Sequence, residues 1–363
     1  ILKVKKKSSL KSAIDLGIAM QLTNISRDVI EDLSNDRSYI NNEFEEIKST
    51  IKLSEKFYNN SFYSTAPWAG RYRSIKNANT LLESIANTSS ITDAQRAGYS
   101  GFAKTIIAHE LMDVIKSYDR ARVDVADPAN LGPILEFDAA LDAVIAMLND
   151  GMSDLNAAGS DFAFNLGGFA GFDTPSTFAE FNRAVAAAAY VYDGDGTSAL
   201  TALNNSFFNL NGDLTVGPKH VFSLGAGDGT NDLFKITDNN GDQIIVHDSW
   251  IADAESGDTR LTSKTSVRSN PTSQDGLNGT NQTELYASNV SPIDMIRNEE
   301  LVLLYAEASI LSSNLANAED ALNVIRGSAS LSDFSGNSDP LLMVVKSLSK
   351  DYKIIFLDEF FFK

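Results

Sequence analysis

The sequence predicts a mainly α fold, and three features carry that prediction. From about residue 68 to about 190 the chain is alanine-rich and reads as helix. Near Met295 helix returns, with Leu301, Leu304, Tyr305 and Ala308 at i, i+3, i+4 and i+7, the spacing of one buried helical face. Between these stretches, from about 193 to 290, the composition shifts to Gly, Asn, Asp, Thr and Ser, which predicts a loop-rich insertion carrying short strands.

Each element follows from local chemistry. Residues about 10–60 read as lysine- and glutamate-bearing helix. In the insertion, Asp193-Gly194-Asp195-Gly196, Asn211-Gly212-Asp213, Gly225-Ala226-Gly227-Asp228-Gly229 and Asn239-Asn240-Gly241-Asp242 are turn signals, and Gln243–His247 alternates like a strand. Such loops are where a rigid scaffold usually carries ligand contacts. A second late helix repeats the apolar spacing at Ala318, Ala321, Leu322 and Ile325, with Asn317 as its N-cap and Gly327 as a left-handed exit. Two helices joined so closely pack antiparallel, the unit of tetratricopeptide-like arrays, although no clean repeat period is present.

Composition excludes several function classes. A net charge of −18 repels phosphate backbones, so nucleic acid is not an expected partner. No run reaches the roughly 20 apolar residues of a membrane-spanning helix. Without cysteine there is no disulfide, thiolate nucleophile or zinc-thiolate site. His109, His220 and His247 lie too far apart for a helical ligand pair and read as structural.

The sharpest chemistry lies in the opening helix. At roughly 100° per residue, Gln21, Asn24, Asp28 and Asp32 share an arc of about 80°, and Ile14, Leu16, Ile18, Met20, Leu22, Ile25, Val29 and Leu33 occupy the other sides. Asp28 and Asp32, at i and i+4, can aim two hard oxygen donors at one magnesium ion bridging a diphosphate. The segment Leu16–Asp32, followed by Arg37-Ser38-Tyr39-Ile40, resembles the second aspartate-rich motif of squalene and phytoene synthases. That resemblance implies Asp28 and Asp32 as magnesium ligands, with Gln21, Asn24 and Arg27 supporting the prenyl diphosphate. The family uses two facing aspartate-rich helices, and only one is present. Asp138 and Asp142 repeat the i, i+4 spacing, but they lack the polar neighbours and read as a solvated helix face.

Four further segments resemble the SusD/RagB family, in that family's order. They are Trp68–Leu82, Gly98–Leu111, Ala199–Val221 and Arg297–Ala308. The resemblance implies a SusD-like helical scaffold and a surface-exposed outer-membrane lipoprotein that binds glycans without catalysis or cofactor. It also implies a SusC-like TonB-dependent transporter as the partner that receives the oligosaccharide. The signal peptide and lipidated cysteine of such proteins are absent from this sequence. The expected organisation is a synthase-like fragment over 1–64, a SusD/RagB-like region over 65–339, and an unassigned tail over 340–363 that reads like a misjoined end. Two other expectations stand beside glycan binding: a magnesium-dependent prenyl transferase fragment, and a fused reading frame with no single function.

Glycan recognition needs flat aromatic faces for sugar rings and planar polar groups for hydroxyl pairs. Trp250, beside His247 and Asp248 in the loop-rich half, is the candidate glycan-binding residue, with a partly buried loop anchor as the alternative. Trp68, at helical spacing from Tyr72 and Ile75, reads as core. The Asp/Gly clusters at Asp193–Gly196 and Asp238–Asp242 lack the ligand spacing of an EF-hand loop and read as turns.

Overall fold

A computed structural model of the chain describes residues 62–239, 243–252, 254–274 and 277–334. Asp28, Asp32, Gln21, Asn24, Arg27, Asp242 and the tail over 340–363 lie outside the described residues. The described residues are mainly helical, as predicted. They fall into two compact units, the first comprising 62–88 and 103–147, the second 89–102 and 148–334. Among them no helix is long and apolar enough to cross a membrane.

In the first unit, α1 (Phe62–Asn87) buries Ile75, Ala78 and Ile85, a helical-face spacing. Helix α2 (Asp93–Tyr118) contributes its part from Ala103 onward, where Ile107, Leu111, Val114 and Ile115 are buried. Arg71 of α1 bridges two carboxylates one turn apart on α2, reaching Glu110 and Asp113 at 2.7 Å each. After α2 the chain makes a short antiparallel ribbon of β1 (Arg120–Ala121) and β2 (Leu135–Glu136) and enters α3 (Phe137–Asn156). Asp138 and Asp142 are exposed, the solvated face expected of them.

The alanine-rich stretch is not continuous helix. Residues 122–134 leave the helical path at Pro128 and Gly132-Pro133, and 157–174 leave it through Gly159, Gly167-Gly168 and Gly171. Proline ends helices by lacking an N–H, and Gly159 and Gly171 take the left-handed region at φ 82° and 83°.

The second unit is organised around α4 (Pro175–Asp193). Thr174 caps it in a reciprocal capping box with Thr177, and Pro175 occupies its first turn. Its run Ala184–Ala189 is buried throughout, so neighbours cover it on all sides. Gly194 ends α4 at φ 84°, and Asp195 then caps α5 (Gly196–Asn204) by accepting from the Ser198 N–H at 2.9 Å. The Asp193–Gly196 cluster is therefore a helix-to-helix turn.

The insertion holds more regular structure than its composition suggests. Strands β3 (Lys219–His220) and β7 (Ile293–Asp294) pair antiparallel. A three-stranded antiparallel sheet runs in the order β4-β6-β5, from Ile245–Val246, Leu277–Thr283 and Thr265–Gln274. Its β5–β6 register shifts between Val267 and Thr272. Two short helices, α6 (Asp248–Ala252) and α7 (Thr259–Lys264), lie within it.

The final pair is α8 (Asn298–Leu311) and α9 (Leu315–Ser328), joined by three residues. Val302, Leu303 and Ala306 meet Ala318, Ala321, Leu322 and Ile325 in one apolar cluster, so the predicted antiparallel packing is present. Two end signals are corrected. Asn314, not Asn317, caps α9 by accepting from the Asn317 N–H at 3.3 Å. Gly327 lies inside α9, and the left-handed residue is Ser330, at φ 61°. The helix starts a turn earlier because Leu315 and Ala316 are compatible with helix once Asn314 supplies the cap.

Candidate ligand-binding surface

Trp250, the glycan-stacking candidate, sits on α6 and is 9% exposed. Its ring packs with Val246, Ile251 and Leu261 in a small core, and its backbone N–H donates to the His247 carbonyl at 3.0 Å. A five-residue helix has little to hold it except such an anchor, so the ring is committed to packing.

Aromatic faces with partial exposure lie elsewhere. In the first unit, Trp68 on α1 packs against Tyr72 of the same helix and Tyr118 at the end of α2, with ring centroids 4.7 and 5.0 Å away. All three rings are half-buried. The Tyr72 hydroxyl donates to the Arg122 carbonyl at 3.0 Å and accepts from the Arg122 N–H at 2.7 Å, which pins the chain leaving α2. Burial pushes the Tyr72 phenol up, against the hydrogen bond and charge of Arg122. Tyr118 is likewise raised by burial, against a bond from the Trp68 backbone and the Arg71 charge. Both phenols therefore stay protonated and remain polar handles on apolar rings.

In the second unit, Tyr99 stacks on Phe164 at 4.7 Å and 18°, and Phe164 belongs to a cluster with Phe102, Phe162, Phe169, Phe178 and Phe181. Only Phe178 and Phe181 of these are fully buried. The stretch 160–173 alternates Phe162 and Phe164 with exposed residues, and its rings clip an otherwise irregular segment onto the helices. Trp68 and Tyr72 were legible as an i, i+4 pair. Tyr118, Tyr99 and Phe164 were not, because their contacts join residues 50 and 65 positions apart, separations that no local period encodes.

In the sheet, planar polar side chains are buried and bond to protein groups. Arg268, 4% exposed, donates to the Gln282 side-chain oxygen at 2.8 Å and to the Asn239 carbonyl at 3.2 Å. The same Gln282 oxygen accepts from the Asp238 N–H at 2.9 Å. Asp238, at φ 61°, accepts from Ser269 N–H at 2.8 Å and Oγ at 2.6 Å, bonds that hold its carboxyl below the ordinary value. The part of Asp238–Asp242 that is described is thus a turn fastened to β5. Among the described residues no group of three His, Asp or Glu is placed to hold a metal ion.

Comparison with known proteins gives two matches that overlap along the chain. The squalene/phytoene synthase family matches residues 1–131, a match that runs on through α1 and α2. No curated protein matches the sequence. Among solved structures, a SusD-like carbohydrate binding protein from Bacteroides vulgatus aligns with TM-score 0.61 at 14% identity, covering 94% of this chain and 81% of its own. A SusD-like protein from Bacteroides fragilis aligns at 0.60 and 13%, covering 80% and 72%. Surface glycan-binding protein A from Bacteroides uniformis aligns at 0.59 and 16%, covering 85% and 75%. The chain therefore has a SusD-like fold, joined in one sequence to a match with squalene/phytoene synthases.

Proposed function

We propose that this chain binds glycans and takes no part in catalysis. The observation that supports it best is the fold, shared over most of their length with proteins described as carbohydrate binding or surface glycan-binding. The half-buried rings of Trp68, Tyr72 and Tyr118 supply apolar faces with hydroxyl handles of the kind sugar rings stack on. In this reading the protein acts at the outer-membrane surface and presents oligosaccharide to a SusC-like TonB-dependent transporter. A glycan array probed with the full chain, and co-purification with such a transporter, test it. Binding to at least one saccharide class is expected, and absence of binding to every saccharide on the array would overturn the reading.

A second reading is favoured by the family match over residues 1–131. The opening segment would then be a prenyl-transferase fragment, with Asp28 and Asp32 as magnesium ligands and Gln21, Asn24 and Arg27 at the diphosphate. Incubation with farnesyl diphosphate and magnesium tests this. Turnover that is abolished by Asp28→Ala would rank the enzyme above the binding protein.

A further inference from the structure

Arg183, on α4 in the second unit, is 9% exposed. Its Nε donates to the Asn182 side-chain oxygen at 2.8 Å, and one Nη reaches that oxygen at 2.6 Å and the Leu148 carbonyl at 2.7 Å. The other Nη donates to the Asn149 side-chain oxygen at 2.9 Å. All of these acceptors are neutral. Among the described residues Arg183 has no carboxylate partner, although a buried cation is ordinarily paired with an anion. Burial pulls its pKa below the ordinary guanidinium value, and Tyr190 opposes that pull.

The unpaired charge opens onto the surface through two polar side chains. Asn149 on α3 is exposed, and its Nδ2 donates to the Tyr190 hydroxyl at 3.0 Å. Among the described residues the acceptor in reach of that hydroxyl's own hydrogen is Asn149 Oδ1, at 3.5 Å, a poor bond. Three donors therefore converge with hydrogens to spare: the second hydrogen on the outer Nη of Arg183, the second hydrogen of Asn149 Nδ2, and the Tyr190 hydroxyl. A carboxylate offers two oxygens that accept several hydrogen bonds at once, and it adds the missing negative charge.

We propose that Arg183, Asn149 and Tyr190 form a carboxylate subsite for an acidic, uronate-bearing glycan. The inference rests on the glycan-binding reading above and narrows its ligand class. The chain's net charge of −18 works against non-specific capture of anions, so selectivity for a negatively charged sugar requires a local site of this kind. Tyr190 and Asn149 also carry the ring face and planar amide that a sugar beside its carboxylate would meet.

The test is isothermal titration of the full chain with tri-galacturonate, with its methyl ester, and with sodium acetate. The ester keeps the rings and removes the charge. The free acid is expected to bind at least about tenfold more tightly than the ester, the gain of one hydrogen-bonded charge pair. Arg183→Gln and Asn149→Ala should each erase that difference. Asn149 is a surface residue, so its variant tests the idea even where the buried arginine is needed for folding. Equal binding of acid and ester, or a difference that survives Asn149→Ala, would overturn the subsite. Full displacement of the trisaccharide by equimolar acetate would overturn its sugar specificity. If neutral glycans bind and tri-galacturonate does not, the subsite fails while the glycan reading stands, whereas an array without any binding sugar fails the reading itself.

Discussion

The side-chain amide of Asn298 is paired with both backbone groups of Asn209. Its Oδ1 accepts the Asn209 N–H at 2.9 Å, and its Nδ2 donates to the Asn209 carbonyl at 2.7 Å. Asn298 is 1% exposed, so the bonds form away from water and fasten the segment after α5 to the first turn of α8. Asn298→Leu keeps the branched skeleton and strands both Asn209 groups. It is expected to cost about 3 kcal/mol, at roughly 1–3 kcal/mol per orphaned buried polar group, read from urea denaturation.

Two glycines mark backbone approaches too close for a side chain. A Cβ on Gly101 would lie 2.7 Å from Leu155 Cγ and 2.9 Å from the Gly151 carbonyl oxygen. On Gly196 it would meet the Ala308 carbonyl oxygen at 2.6 Å and Leu311 Cβ at 2.7 Å. Gly101→Ala and Gly196→Ala are expected to destabilise by about 1–3 kcal/mol through overpacking. Gly70, with nothing within 4 Å of its Cβ position on α1, is the control. There alanine should raise stability by up to about 1 kcal/mol through helix propensity, and a shared sign at all three positions would refute the packing account.

The two tryptophans separate by role. Trp250→Ala removes most of the small core beneath α6 and should cost about 3–5 kcal/mol, while Trp250→Phe keeps much of it. Since Trp68 and Trp250 are the only tryptophans, Trp250→Phe leaves Trp68 as the single indole emitter. Addition of a bound saccharide should then change the Trp68 emission, measured by fluorescence titration. A response that persists in Trp68→Phe and vanishes in Trp250→Phe would reverse these roles.

Acid stability should depend on Asp258. Burial pushes its carboxyl up, but hydrogen bonds from the Arg260 side chain and backbone, with the charges of Arg260 and Lys264, leave it below the ordinary value. A carboxylate with a depressed folded pKa contributes stability that is complete above the unfolded value, near 3.9, and is lost as pH falls through the folded one. Asp258→Asn should therefore flatten the decline in stability below about pH 4 and lower stability at neutral pH. Urea midpoints collected across that range check it.

The helices were legible wherever one apolar stripe repeated locally, as at Leu301–Ala308 and Ala318–Ile325. Their ends were less so. Asn314 and Asn317 are both good caps, and the structure places the cap at Asn314, whose side chain accepts from the Asn317 N–H. The candidate site was harder to read. Trp250 stands among turn residues, which left a sugar-stacking ring and a partly buried loop anchor both open, and Val246 and Leu261, four and eleven positions away, close over it. Arg183 is one cation in an alanine run, and nothing local reveals that its neighbours in space are Asn149 and the Leu148 carbonyl instead of an acid. Sequence period reports which face is buried. It does not report which polar groups meet there.

The three-residue connection between α8 and α9 also bears on how the molecule forms. Contacts in that hairpin close short loops, whereas the Asn298–Asn209 pairing joins residues 89 positions apart and pays a larger closure entropy before any bond rewards it. The hairpin is thus suited to nucleate early. The reciprocal amide is expected to form late, as a latch whose loss should speed unfolding more than it slows folding.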